Sequence, residues 1–138
     1  MEGFAFSAAV RVRFADTDAQ GIAHHSNYLV WFEVARVEFL ERFAGGYQRL
    51  RDEGIESLVL EAHVRYLAPT SFDDRLAAYA RCVDVRGARF RFEYAVVRDD
   101  VVVADGWTAH ATVDATTLRP RRTPDWLHAA IAAALPDD

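Results

Sequence analysis

Asp16, Asp18, Gly21, His24 and His25 stand within one short stretch, and Ser26 and Asn27 follow them directly. A positioned carboxylate can attack an electrophilic carbon, or take a proton from a water that does so. Downstream, Tyr28, Trp31, Phe32, Ala35, Phe39 and Phe43 recur at helical spacing, with Leu29, Val34, Val37 and Leu40 widening the apolar stripe. That pattern predicts a long helix opening at Ser26–Asn27, with the Ser26 hydroxyl as its N-cap. Unpaired N–H groups and the positive end of the dipole at such a helix start suit a developing negative oxygen. The stretch therefore offers a base or nucleophile beside an oxyanion site. Asp18 alone would equally suit an Asx turn, and Asp16 reads as the residue that bonds the turn and orients the loop. No H-E-x-x-H or other ligand spacing accompanies the Asp and His residues, so no metal is expected. A serine triad has no motif support either, since G-x-S-x-G is missing.

A helix this apolar has to be enclosed, and the remaining chain supplies strands to do it. Val10, Val12 and Phe14 alternate with Arg11 and Arg13, which predicts a first strand running into the Asp turn. The helix should stop near Gly45-Gly46, glycine being the usual terminator. Residues 47–56 read as a connection with a short helical turn. Leu58, Leu60, Ala62, Val64 and Tyr66 then alternate with Val59, Glu61, His63 and Arg65, predicting a long strand with one buried face, ended by Pro69. Further strands are predicted over 75–85, around Phe90–Val96, and over 101–114 with Trp107, Ala109, Ala111 and Val113 on one face. Arg86-Gly87 and Asp99-Asp100 mark the turns between them. His63 and His110 fall on polar strand faces and read as surface or interface residues. Arg119, Arg121 and Arg122 read as a solvated run. Asp125 to Leu135 predicts a terminal helix. The order β-α-β-β-β-β with short late turns implies an α+β plan, an antiparallel meander with the helix on one face.

The totals bound the function. A chain of 138 residues with 51% hydrophobic and 12% aromatic content is expected to form one folded domain over 1–138 rather than a disordered segment. A formal charge of −5 argues against a nucleic-acid partner. All 16 basic residues are arginine, so any phosphate must be held by arginine or backbone, and Schiff-base lysine chemistry is excluded. Cys82 is the single cysteine, which fits a reducing compartment such as the cytoplasm. Neither a signal peptide nor a membrane span is expected.

The stretches VRFADTDAQGIAHHSNYLVWFEVARVEFL, VRYLAPTSFDD, DVRGARFRFEY and VDATTLRPRRTP, taken in that order, are similar to the hotdog-fold acyl-CoA thioesterases of the 4-hydroxybenzoyl-CoA thioesterase and YbgC type. The D-T-D-x-x-G segment followed by N-Y and the helix is the specific part. The resemblance implies a curled antiparallel sheet wrapped around a long central helix, assembled into dimers or tetramers. It also implies hydrolysis of an acyl-CoA thioester without cofactor or metal. Asp18 takes the place of the catalytic carboxylate, as nucleophile or general base, and the His25 amide the place that polarises the thioester carbonyl. Tyr28 and His24, the latter where relatives more usually carry an aromatic residue, fall on the acyl side. Gly21 completes the motif. Arg86 and Arg89 lie where the family often holds the CoA phosphates. Thioesters of acyl carrier protein remain an alternative substrate, and a non-catalytic thioester-binding module an alternative role.

Overall fold

The computed structural model describes residues 1–134. Its elements in chain order are β1 (Ser7–Arg11), α1 (Asn27–Ala44), α2 (Gly46–Asp52), β2 (Ile55–Tyr66), β3 (Arg75–Arg86), β4 (Arg89–Arg98), β5 (Val101–Asp114) and α3 (Asp125–Ala133). Leu135, the expected end of the last helix, lies outside the described residues. The five strands form one antiparallel sheet in the order β1-β3-β4-β5-β2. The β3–β4–β5 meander is therefore central, with β1 and β2 as the edges. The β4–β5 turn is tight because Asp99 and Asp100 both take positive φ, 47° and 65°, which matches the strand twist.

Helix α1 lies across the inner face of the curled sheet. Phe32 stacks on Tyr94 with ring centroids 4.3 Å apart, and Phe39 meets Phe92 edge to face at 5.4 Å. Such pairs add ~0.5–1.5 kcal/mol each beyond the area they bury. Gly45 ends α1 in the left-handed conformation (φ 79°), where its N–H reaches the Leu40 carbonyl. None of the helices among the described residues is long and apolar enough to cross a membrane.

Several local expectations give way to the structure. The first strand stops at Arg11, and Phe14 sits exposed on a single 3-10 turn over Phe14–Asp16. The Asp16 carboxylate captures the Arg13 N–H there and bends the chain. The short helical turn expected within 47–56 is helix α2, and β2 begins at Ile55, two residues inside that connection. The long strand lacks the single buried face expected of it. A bulge between Val59 and Glu61 reverses the alternation, and most of the strand is exposed because it forms a sheet edge. Ser57 and Val59 pair with Thr112 and His110, and Ala62, Val64 and Tyr66 with Thr108, Gly106 and Ala104. Paired residues share a face, so these side chains point toward α1 and Leu58 points away.

His110 is the clearest correction, being 1% exposed rather than on the surface. It ends a buried chain of hydrogen bonds. Arg36 Nη1 donates to Tyr94 Oη at 2.9 Å, Tyr94 Oη meets Thr108 Oγ1 at 2.6 Å, and Thr108 Oγ1 meets His110 Nε2 at 2.6 Å. Arginine only donates, so every proton is placed when Tyr94 donates to Thr108 and Thr108 to a neutral His110. Arg36, at the other end of the chain of bonds, is itself buried.

Burial first, and the Arg36 charge second, push the His110 pKa down from 6.5 to about 3. Between those two values the unfolded chain binds a proton that the folded chain does not. Acidification through this window should therefore lower stability by about 1.4 kcal/mol per pH unit. Unfolding free energies from denaturant titrations, measured from about pH 6 to about pH 4, should show this slope. His110→Gln should flatten it, and an unchanged slope in that variant would contradict the assignment.

Candidate active site

The loop from Arg13 to Asn27 is built around Asp16. Its carboxylate is 3% exposed and accepts bonds from the Arg13 N–H at 2.9 Å and the Arg13 guanidinium at 2.7 Å. The guanidinium bond holds this carboxyl below the usual carboxylate range. The Asp16 carbonyl accepts the His24 N–H and the Asn27 Nδ2–H, both at 2.8 Å. One residue thereby ties the loop to the start of α1. Asn27, which the sequence reading treated only as a helix opener, is the clamp on the helix side. Its position beside Ser26 was the only signal.

Asp18 begins the reversal. Its carbonyl accepts the Gly21 N–H at 2.9 Å and its own N–H donates to Ile22 O at 2.9 Å. Gly21 holds φ 80°, which favours glycine, and its place in the structure is the exposed tip of the turn. One Asp18 carboxylate oxygen accepts the Gln20 N–H at 2.8 Å, which is an Asx turn. Among the described residues its second oxygen has no hydrogen-bond partner. The Asx-turn geometry and a free carboxylate oxygen thus coexist in one side chain.

The carboxylate lines a cleft of about 300 Å³ together with Ile22, Ala23, His25, Tyr28, Tyr66 and the Leu67–Pro69 segment. His25 stands at the entry to α1. No hydrogen bond among the described residues engages its N–H. The expected Ser26 cap is absent, because the Ser26 hydroxyl pairs with His24 Nδ1 at 2.8 Å instead. The N–H groups that follow are engaged locally, Ser26 by His24 Nδ1 at 3.2 Å, Asn27 by the His24 carbonyl at 3.0 Å and Tyr28 by the His25 carbonyl at 3.4 Å, so the His25 N–H is the donor this loop leaves to whatever enters the cleft. The His24 ring packs against His25 with centroids 4.0 Å apart and planes tilted by 33°, and lies beside the cleft, outside its lining.

Tyr28 is 3% exposed, and its hydroxyl meets Thr70 Oγ1 at 2.9 Å. Its ring packs edge to face on Tyr66 at 5.1 Å. The Tyr66 hydroxyl donates to the His25 carbonyl at 2.9 Å, fixing the peptide that follows the free N–H. Sequence reasoning placed Tyr66 only as a strand residue. Its distance along the chain from His25 hid the contact, and its position just before L-A-P was the only cue. Arg86 and Arg89 are not brought to this cleft. They face each other across the β3–β4 turn and line a separate groove of about 370 Å³ with Leu60 and Phe90.

This arrangement can hold a carbonyl oxygen on the His25 N–H with a carboxylate nearby, a kit for acyl transfer. The comparisons with known proteins agree. A family model described as thioesterase-like superfamily matches residues 12–131. An acyl-CoA thioesterase YbgC of Haemophilus influenzae is 32% identical over 126 residues, spanning 91% of this chain and 93% of that one. The crystal structure of a hypothetical protein from Aquifex aeolicus superposes with a TM-score of 0.85 at 35% identity, covering 91% of this chain and 98% of that one. The DHNA-CoA thioesterase of Staphylococcus aureus superposes with a TM-score of 0.84 at 25% identity, covering 92% and 88%. With sequence, sheet topology and cleft pointing the same way, the chain belongs to the thioesterase-like superfamily and is a thioester hydrolase of the hotdog fold.

Proposed function

We propose that the protein hydrolyses an acyl-CoA thioester to the free acid and CoA, with Asp18 as its catalytic carboxylate. The observation that carries this reading is the pairing of a free Asp18 oxygen and an unengaged His25 N–H in one cleft. The thioester carbonyl sits with its oxygen on the His25 N–H. The Asp18 carboxylate then attacks the carbonyl carbon, or draws a proton from a water that attacks it. The C–S bond breaks, the thiolate leaves and takes up a proton, and water supplies the acid's new oxygen. Arg86 and Arg89 carry the CoA phosphates from their separate groove. The test is thiol release from an acyl-CoA and from the same acyl group on acyl carrier protein. A higher kcat/KM with the CoA substrate is expected; the reverse order would move the assignment to carrier-protein thioesters.

His25→Ala separates backbone from side chain. It keeps the N–H in place, so activity should fall only modestly. Loss of an oxyanion donor typically costs ~10²–10³ in turnover. A drop of that size would transfer the role to the imidazole.

The functional unit in this reading is a homo-oligomer built from dimers. Strand β2 is an unpaired edge carrying Leu58, Val59 and Leu60 at 40, 52 and 46% exposure. A second copy pairing there satisfies the edge and covers those side chains. Light scattering at micromolar concentration should give at least twice 15.5 kDa. A monomer mass would contradict the assembly.

A further inference from the structure

A second pocket, of about 540 Å³, opens between the far half of α1 and the start of β2, and Arg36, Tyr47, Ser57, Val59 and His110 line it. Its inner end is rich in donors. Arg36 is 7% exposed, and among the described residues no carboxylate lies within 4.0 Å of it. Its partners are the neutral hydroxyls of Tyr47 at 3.1 Å and Tyr94 at 2.9 Å. The Tyr47 oxygen accepts from Arg36, which leaves its own proton to donate. Ser57 Oγ is buried with no hydrogen-bond partner among the described residues. A buried cation without a counter-ion is costly, and an unpaired buried hydroxyl adds to that cost. One carboxylate seated here would answer both.

The position of the pocket says where that carboxylate comes from. Ser57 and Tyr66 lie nine residues apart on β2, which is roughly 30 Å of extended strand. No small acyl group bridges the pocket and the Asp18 cleft within one chain. A two-fold axis through the middle of β2, at Leu60–Glu61, sets Tyr66 of one copy opposite Ile55 of the other. Ser57 of the second copy is then only about 7 Å further along the strand. In that arrangement the two openings would meet across the dimer.

We propose that this pocket receives the far end of the acyl group whose thioester lies in the opposite copy's Asp18 cleft, and that it selects acyl groups ending in a carboxylate. The proposal rests on the thioesterase reading and on pairing through β2. Glu33, Glu41 and Glu56 stand around the mouth of the pocket. They oppose entry of a free anion, whereas a carboxylate tethered to a bound thioester arrives at high effective concentration.

The test compares kcat/KM for the CoA monothioesters of succinate, glutarate and adipate with butanoyl-, pentanoyl- and hexanoyl-CoA. At least one dicarboxylic substrate should exceed its unsubstituted counterpart by roughly tenfold to a hundredfold, the range of a hydrogen bond to a charged group. Ser57→Glu, which adds a like charge to the pocket, should abolish that preference, and so should Arg36→Gln. If the buried arginine variant does not fold, the Ser57 variant carries the comparison. Equal kcat/KM for both substrate series, unmoved by Ser57→Glu, would overturn the pocket's role while leaving the thioesterase reading intact. Calorimetric binding of free glutarate without any substrate preference would assign the site to a free carboxylate and overturn the acyl assignment. Thiol release from none of the six would overturn this inference, and thiol release from an aromatic acyl-CoA in the same assay would leave the thioesterase reading standing.

Discussion

Asp18→Asn should lower kcat for thioester hydrolysis by roughly 10²–10⁴, the usual contribution of a positioned acid–base group. Fold and CoA binding should be retained. The amide has the same shape and still accepts the Gln20 N–H through its oxygen, so the turn survives. What it lacks is the charge to attack a carbonyl or to take a proton. Asp16→Asn is the contrasting variant, because that carboxylate is spent on the loop. Its bond to the Arg13 guanidinium keeps its folded-state pKa low. The stability it contributes is therefore present above the unfolded carboxylate pKa and lost as pH falls through the folded one. Asp16→Asn should reduce stability and activity together. Should Asp18→Asn keep most of its turnover while Asp16→Asn loses it, the two carboxylates have been assigned the wrong way round.

The second large effect is on the scaffold. Gly106 lies in β5 between Val64 of β2 and Tyr94 of β4, directly under Phe32. A Cβ at this position would lie 2.8 Å from the Phe32 ring and would overlap the His63 carbonyl oxygen of β2. Phe32 is fully buried and cannot retreat, and the carbonyl belongs to a paired strand. Gly106→Ala should therefore cost about 3 kcal/mol or more, at the upper end of overpacking effects. The relief available is displacement of β2, which carries Tyr66 at its end. A loss of kcat/KM larger than the unfolded fraction explains should accompany the destabilisation. A denaturation midpoint equal to wild type at the same protein concentration would contradict this packing.

The element order was legible because the hydrophobic period changes cleanly, from helical over 28–43 to alternating in the later segments. The long helix, its stop at Gly45, and the meander with its Asp99-Asp100 turn follow from local chemistry alone. What stayed hidden depends on contacts between distant segments. The bulge at Val59/Glu61 has no local signature, since Leu58 and Leu60 continue the alternation through it. In β5 the apolar set Trp107, Ala109, Ala111 and Val113 shares a face as expected, and Ala111 and Val113 at its far end are buried, but this is not the face that meets the helix. Thr108, His110 and Thr112 are the side chains turned to α1, because Tyr94, Thr123 and the Arg121 carbonyl satisfy them there. Ser26 reads as a cap until His24 competes for its hydroxyl. At the site, Asp16 as the residue that bonds the turn and orients the loop could be anticipated from the motif. Tyr66 and Thr70 come from about forty residues downstream and only the fold brings them in.

The central claim is that a thioester is hydrolysed in this cleft through the Asp18 carboxylate, as nucleophile or general base. Its most direct measurement is multiple-turnover hydrolysis of an acyl-CoA in ¹⁸O-labelled water, with free thiol and free acid quantified together. The account predicts one thiol per acid, with solvent oxygen in the acid's carboxyl group. Both products should fall to the uncatalysed rate in Asp18→Asn. Thioester binding without release of either product, or thiol released without labelled acid, would contradict it.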